Sequence, residues 1–571
     1  MNVQSLPTDA KSILALTWNE YEPCYEDLEA RQLSEENIQA WLDDWSTLAA
    51  TVDEHYWRLY IATTVNTADK ESEDQFNLYI EEIQPAVKNA QQKLKDKILV
   101  SGLSPKGFET GLRRIQAEAG IFVENNLPLL AEEQKLVTEY NKLLGSLTVL
   151  WDGEERTLAQ MYPLMYETDR SIRQRASETM SARFQKEKLK INELWAKFVP
   201  VRLKIAENVG MPDYRTYMWK QKFRFDYTPE DCKRFHNAIE QAFVPAAKRV
   251  YEKRRQRLGV DTLRRWDLTV DPLGGSLIQP FESIEEFKQK LHTIFKQVDP
   301  AFGEYFQIMM YENLLDLESR KNKYPGGYCL GLQVAHRPFI FMNHSNTPFD
   351  VQMMLHEAGH AFHEFESAHV HFFQRGEIYL PAEFAEVASM SMELLASPYT
   401  AKEYGGFYTD SEHARTMIEL LEGIITFLPD IALVDAFQHW IYENPAEGSD
   451  ASRCEDKWVE LWDRFIVGIE YSGLEDVKKI HWHRIPHIFN NPFYFIEYGF
   501  AQLGAVQVWA NARRDQKKAV ADYRRALALG ATVPLPELFA TAGAKFAFDE
   551  GTLKEAVDLL EHVIEEMEAK L

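Results

Sequence analysis

Two histidines four residues apart, His356 and His360, bracket Glu357-Ala358-Gly359 in a helix-compatible segment. At a rise of about 1.5 Å per residue, they lie on one helix face, about 6 Å apart along the axis. Both imidazoles can then reach one zinc ion at about 2.0–2.1 Å. Glu357 can take a proton from a zinc-bound water and pass it to a leaving amine. The pattern predicts metal-assisted hydrolysis; the alternative is two unrelated histidines held by hydrogen bonds.

A catalytic zinc ion needs a third protein ligand. His363 shares the helix face but lies about 10 Å along the axis from His356, too far for one tetrahedral ion. A second helix is predicted over 381–396, because Pro381 suits a first helical position. Its glutamates near one face are Glu383, Glu386 and Glu393. Spacing does not choose among them, and each could instead be solvated.

The elements before the zinc helix are predicted to be two short strands, residues 328–334 and 338–343, after a turn at Pro325-Gly326-Gly327. Asp350 is expected to cap the helix that carries the histidines. Elsewhere, apolar residues at helical spacing predict helices. These segments are 34–52, 68–99, 131–149, 168–208 and 551–570.

The composition is that of a globular protein, with 571 residues and a formal charge of −25. Such acidity argues against nucleic acid or an anionic membrane as a partner. The four cysteines show no short-range pairing, so neither a disulfide framework nor a cysteine-rich zinc site is expected. No secretory signal is visible at the start, and charged residues interrupt the most apolar stretch, 417–442. The sequence therefore predicts a cytoplasmic protein.

Several segments together resemble the thimet oligopeptidase and oligoendopeptidase F family of zinc metallopeptidases, and most closely its oligoendopeptidase F and Pz-peptidase branch. The segments that carry the resemblance are HEAGHAFH (356–363), EFAEVASMSMELL (383–395) and PHIFNNPFYFIEYGFAQLGA (486–505). The resemblance covers roughly residues 200–560 and is diffuse before them.

The resemblance implies a role for single residues. The glutamate of Phe384-Ala385-Glu386 matches the family's third zinc ligand, so Glu386 joins His356 and His360 around one Zn²⁺ per chain. Glu393 matches a glutamate that holds a histidine tautomer, with a plain salt bridge as the alternative. The residues expected to donate hydrogen bonds to the scissile carbonyl are His487, Tyr494 and Tyr498.

The fold implied is mainly α-helical with a small β-sheet at the site, a zincin-like catalytic domain. Two largely helical halves would flank a deep substrate channel that excludes folded proteins. The expected division is an N-terminal helical region, 1–180, and a catalytic region, 181–571. An edge strand around 331–334 would hold an extended peptide by strand addition.

These inferences predict a zinc-dependent oligoendopeptidase that cuts internal bonds of short peptides, with Glu357 as general base and then general acid. One alternative is a zinc carboxypeptidase with a similar helical channel, which would remove single residues. The other is a peptide-binding protein that has lost catalysis. The presence of Glu357 argues against that second alternative, since metal binding does not need this base.

Overall fold

A computed structural model describes residues 3–274, 277–376 and 379–571, and most of them are helical. In chain order the helices are α1 (Ala10–Leu14), α2 (Trp18–Ala30), α3 (Ile38–Val65), α4 (Lys70–Leu78), α5 (Gln84–Ser101), α6 (Glu109–Ala119), α7 (Leu127–Gly145), α8 (Leu158–Met161), α9 (Arg170–Gln185), α10 (Lys188–Asn208), α11 (Tyr214–Gln221), α12 (Pro229–Arg257), α13 (Ile284–Val298), α14 (Pro300–Tyr311), α15 (Pro348–Ser367), α16 (Ala382–Ala396), α17 (Asp410–Glu443), α18 (Pro445–Gly448), α19 (Ala451–Phe465), α20 (Glu475–Lys479), α21 (Pro486–Asn490), α22 (Phe495–Arg514), α23 (Gln516–Leu527), α24 (Leu535–Thr541) and α25 (Glu550–Glu568). The strands are β1 (Thr148–Trp151), β2 (Glu154–Thr157), β3 (Leu315–Asp316), β4 (Tyr328–Leu332) and β5 (Arg337–Phe341). The predicted class, mainly α with a small sheet, is confirmed.

The chain forms two compact units, each assembled from segments that are distant in sequence. The first consists of Met1–Ala119, Ile278–His413 and Ala501–Phe546, and the second of Gly120–Leu277, Ala414–Phe500 and Ala547–Leu571. The predicted division into an N-terminal helical region, 1–180, and a catalytic region, 181–571, stays a prediction. Among the described residues, no helix combines the length and the apolar character needed to cross a membrane.

The three-stranded sheet of the first unit lies against α15. β4 and β5 form the predicted hairpin, with Tyr328 opposite Phe341. β3 runs parallel to β5 on its other side, which leaves β4 at the edge. The sequence does not predict β3, because two residues carry no periodicity. The carboxylate of Glu54, on α3, fixes the hairpin turn by accepting the backbone N–H groups of Val334 and Ala335 at 2.6 and 2.9 Å.

Helix α15 begins three residues earlier than the sequence suggests. Asp350 is its third residue rather than its cap, and its carboxylate accepts the backbone N–H groups of Thr347 at 2.8 Å and Ser345 at 3.0 Å. Further along, Phe362 stacks on Phe302 of α14 with ring centroids 4.7 Å apart. These contacts fix both the start of α15 and its rotation, and hence the direction in which its histidines point.

Gly359 allows α15 and α16 to approach closely. A Cβ atom at this position would stand 2.5 Å from Ser389 Cα and 2.6 Å from the Ala388 carbonyl oxygen. Both atoms belong to the backbone of α16, so neither can rotate away. Tyr523 of α23 donates a hydrogen bond of 2.7 Å to that same carbonyl. The middle of the His356–His360 segment is therefore a helix-crossing point.

Replacing Gly359 by alanine is expected to push the two helices apart and to lower the free energy of unfolding by about 1–3 kcal/mol, the usual cost of overpacking. Denaturant unfolding measures the change. Gly423→Ala is the matched control, because Gly423 is an exposed helical glycine with nothing within 4 Å of the added Cβ. It is expected to be neutral or stabilising by up to about 1 kcal/mol. Equal effects of the two substitutions would contradict the crossing argument.

The long helices lie where the sequence predicts them, but their first and last residues often differ from the predicted bounds. The segment predicted over 34–52 belongs to α3, which runs to Val65. The segment predicted over 68–99 is helical from Lys70 onward and contains a π-helical turn, Tyr79–Ile83, between α4 and α5. The segment 168–208 divides into α9 and α10. Side-chain caps mark two of these ends, since Asp69 accepts from the backbone at the start of α4 and Asp169 from that at the start of α9.

Candidate metal centre

The three predicted metal ligands lie close together in the first unit. Ligand atoms of His356, His360 and Glu386 all lie within 4.8 Å of one another. Glu386 Oε2 is 3.4 Å from His356 Nε2 and 3.7 Å from His360 Nε2. Two ligands of a tetrahedral zinc ion with bonds of about 2.0–2.3 Å stand about 3.3–3.8 Å apart. The donor set and its spacing therefore fit Zn²⁺, with α15 supplying two ligands and α16 the third.

Further contacts orient two of these ligands. His356 Nδ1 lies 2.7 Å from Glu393 Oε1 and, because an ionised carboxylate only accepts, donates to it; when Nε2 binds a metal ion, the remaining proton therefore stays on Nδ1. Gln352 Nε2 donates to Glu393 Oε2 at 2.8 Å. Ser389 Oγ donates to Glu386 Oε2 at 3.0 Å. The tautomer of His356 and the position of both carboxylates are thus set by side chains on α15 and α16.

The electrostatics of the protein residues favour a cation. Burial alone would lower the pKa of His356, but the carboxylates of Glu386 and Glu393 raise it to about 10. Despite burial, hydrogen bonding and the charges of the two histidines lower the pKa of Glu386 to about 2. The carboxylate of Glu386 therefore keeps its negative charge between the two imidazoles, an arrangement that a divalent cation neutralises.

Glu357 differs from the ligands. Its side chain is buried, and this burial, with smaller contributions from Glu386 and Glu393, raises its pKa to about 7. A carboxyl group whose pKa lies near neutrality can both accept and return a proton at physiological pH. Glu357 is therefore suited to proton transfer.

The neighbouring candidates occupy different surroundings. Glu383 is buried on α16 but does not belong to the ligand cluster found among the described residues. His363 is also buried, and it packs edge-on against Phe384 with ring centroids 6.1 Å apart. The assignment of Glu386 as third ligand stays a prediction that this geometry supports.

His487, Tyr494 and Tyr498 come together in the second unit. The ring of His487 lies 5.9 Å from that of Tyr494 and 6.1 Å from that of Tyr498, and the tyrosine rings are 5.1 Å apart. Burial, followed by the charge of Lys222, lowers the pKa of His487, so its ring is neutral at pH 7. Both phenols and this imidazole can donate hydrogen bonds. Their role toward a peptide carbonyl stays a prediction.

Sequence reasoning missed Gln352 and Ser389. Gln352 precedes His356 by four residues, and Ser389 follows Glu386 by three, so each shares a helix face with a proposed ligand; Ser389 bonds Glu386 directly, and Gln352 bonds Glu393, the partner of His356. That spacing is the signal that could have found them. Gly359 was also missed as a contact point, because only the crossing of two helices reveals it.

Glu393→Gln is expected to weaken metal binding about 10- to 100-fold, the range typical of outer-shell partners of a ligand histidine. The amide oxygen can still accept from His356 Nδ1, but the negative charge beside the ring is lost. Competition with a chromophoric chelator measures the affinity. Glu403→Gln, at an exposed glutamate, provides the control. An unchanged affinity would assign Glu393 to a plain salt bridge.

Comparison with known proteins matches residues 163–558 to the family model of peptidase family M3. The curated relatives include an oligoendopeptidase F homolog of Borreliella burgdorferi, 24% identical over 322 residues, which are 54% of this chain and 52% of the relative. Oligopeptidase PepF of Bacillus subtilis is 23% identical over 337 residues, 57% of this chain and 48% of the relative. The chain thus spans about half the length of the curated relatives it matches.

Solved structures match over nearly the whole chain. Pz peptidase A, solved with an inhibitor, is 27% identical with a TM-score of 0.85, covering 97% of this chain and 98% of that one. Oligoendopeptidase F from Enterococcus faecium shares the fold at 16% identity and a TM-score of 0.60, with 97% and 99% covered. The resemblance predicted from the sequence is confirmed.

Proposed function

Because the chain belongs to peptidase family M3, a family of metallopeptidases, we propose that it is a zinc-dependent oligoendopeptidase that hydrolyses internal bonds of short peptides. The observation that carries the proposal is the cluster of His356, His360 and Glu386 with the buried Glu357 beside it. We further propose one catalytic Zn²⁺ in this cluster, short peptides as the partners, and a cytoplasmic location.

His356, His360 and Glu386 would hold the ion. When bound, Zn²⁺ supplies Lewis acidity, which polarises a peptide carbonyl and lowers the pKa of water. Glu357 takes the proton of the attacking water, and its pKa near 7 lets it give that proton to the departing amine. Glu393 keeps the proton of His356 on Nδ1 throughout. The edge strand β4 offers backbone hydrogen bonds to an extended peptide.

His487 and the tyrosines are proposed to stabilise the negative charge that develops on the scissile carbonyl oxygen. One such donor contributes about 3–4 kcal/mol in other hydrolases. Tyr494→Phe and Tyr498→Phe are therefore expected to differ, with a kcat loss of about 10²- to 10³-fold for the donor and a mild effect for the other. Steady-state kinetics with a short fluorogenic peptide distinguishes them. Equal and mild losses of kcat for the two substitutions would indicate that both tyrosines only pack in the core.

The proposal is tested by incubating a mixture of short peptides with the wild type and with Glu357→Gln, followed by mass spectrometry. Internal cuts made by the wild type alone are expected. Loss of single C-terminal residues would favour the carboxypeptidase instead. Zinc binding without cleavage of any peptide, by a protein with its full zinc content, would favour a binding protein.

A further inference from the structure

A second group of metal-binding side chains lies within the second unit, between α12 and α17. Cys232 and His236 are four residues apart on α12, and Asp435 and His439 are four residues apart on α17. Each pair therefore occupies one face of its helix. All four side chains are buried, with exposures between 0% and 3%. Polar groups at such depth need partners.

Their ligand atoms converge. Sγ of Cys232, a carboxylate oxygen of Asp435 and a ring nitrogen of His439 all lie within 4.8 Å of one another. His439 Nε2 is 3.2 Å from Asp435 Oδ2, close to the separation of two ligands on one zinc ion. His236 Nε2 donates to the same oxygen at 2.8 Å. This last contact orients the carboxylate, as outer-shell hydrogen bonds do at metal sites.

Hydrogen bonds within the protein leave one atom of Asp435 and one of His439 unsatisfied, although His439 Nε2 lies 3.2 Å from Asp435 Oδ2. Neither Asp435 Oδ1 nor His439 Nε2 has a hydrogen-bond partner among the residues that the structure describes. Leaving one buried polar atom unsatisfied costs about 1–3 kcal/mol. A cation held between Cys232, Asp435 and His439 would satisfy both atoms at once.

The charges also balance. A thiolate at Cys232 and the carboxylate of Asp435 would together carry two negative charges, which one divalent cation neutralises. Arg215 Nη1 lies 3.4 Å from His439 Nδ1, and because a guanidinium only donates, metal binding through Nε2 requires the proton of His439 to move to Nδ1 and Arg215 to turn away. It also forms an ion pair with Glu443, which can hold it when Nδ1 carries the proton and Nε2 binds the metal.

We propose that Cys232, Asp435 and His439 form a second Zn²⁺ site that joins α12 to α17, with His236 positioning Asp435. Thiolate and imidazole ligands favour Zn²⁺ over Ca²⁺ or Mg²⁺. The site is separate from the proposed catalytic centre, whose ligands include no sulfur. The two sites can therefore be distinguished by spectroscopy as well as by stoichiometry.

The test uses the full chain produced in medium in which cobalt replaces zinc. The wild type and Glu386→Gln are both expected to show the near-ultraviolet charge-transfer absorption of a thiolate bound to Co²⁺. Glu386→Gln should keep one cobalt ion per chain. Cys232→Ser should lose the absorption and one equivalent of metal, whereas Cys454→Ser, at another buried cysteine, should keep both.

Absence of the absorption from the wild type, or its survival in Cys232→Ser, would overturn the proposal. If Cys232→Ser does not fold, Asp435→Asn and His439→Gln provide the same readout with the thiol in place. Because the absorption needs sulfur, its outcome is independent of whether the His356–His360 centre binds metal or cleaves peptides.

Discussion

Glu357→Gln is expected to reduce kcat for a short peptide about 10²- to 10⁴-fold, the contribution of a positioned general acid–base group. The amide can neither accept the proton of the attacking water nor return one to the amine. The ligands His356, His360 and Glu386 are untouched, so the zinc content should equal that of the wild type. Single-turnover kinetics with metal analysis of the same sample measures both quantities.

Two properties make this substitution informative. Glutamine has nearly the volume of glutamate, and Glu357 is buried, so packing on α15 should change little. KM should also change little, because the lost interaction serves the transition state rather than substrate binding. Glu366→Gln, later on α15, is the control, because Glu366 pairs with Arg524 and is not a predicted catalytic residue. Full activity of Glu357→Gln would remove Glu357 from the mechanism.

Glu386→Gln is expected to lose one equivalent of zinc per chain and, with it, the peptidase activity. The change removes one of three protein ligands, so the loss of affinity should exceed the about 10- to 100-fold typical of outer-shell substitutions. The hydrogen bond from Ser389 can persist to the amide oxygen, so the fold should be retained. Metal analysis after gel filtration, with circular dichroism as the check on folding, makes the measurement.

Glu383→Gln is the matched comparison on the same helix, and it is expected to keep the zinc. If instead Glu386→Gln keeps its zinc and Glu383→Gln or Glu393→Gln loses it, the third ligand has been assigned to the wrong glutamate. Retention of zinc by all three variants would contradict a ligand from α16 altogether.

The sequence predicted the parts of the centre that depend on one helix at a time. The spacing of His356 and His360 places both on one face of α15, and a second helix with glutamates follows within a few turns. Choosing Glu386 among those glutamates required the family resemblance, because spacing alone left three candidates. The distances of 3.4 and 3.7 Å to the histidines now provide an independent reason for that choice.

What the sequence could not predict depends on contacts between distant segments. Asp435 and His236 are 199 positions apart. Within each helix, two residues four positions apart give no sign that they face the other helix. The role of Gly359 likewise needs the backbone of α16 at 2.5 Å. Division of the chain into two discontinuous units has no local signal, because each unit is closed by segments from late in the chain.

The bond from Tyr523 to the Ala388 carbonyl has a consequence for biosynthesis. The three proposed zinc ligands all precede residue 387, whereas Tyr523 is 135 positions further along than the carbonyl it binds. Since a ribosome delivers the chain from its amino end, the nascent polypeptide contains every ligand well before it contains this tyrosine. A chain truncated before Tyr523 would contain all three ligands, but α16, the helix that carries Glu386, would lack this hydrogen bond.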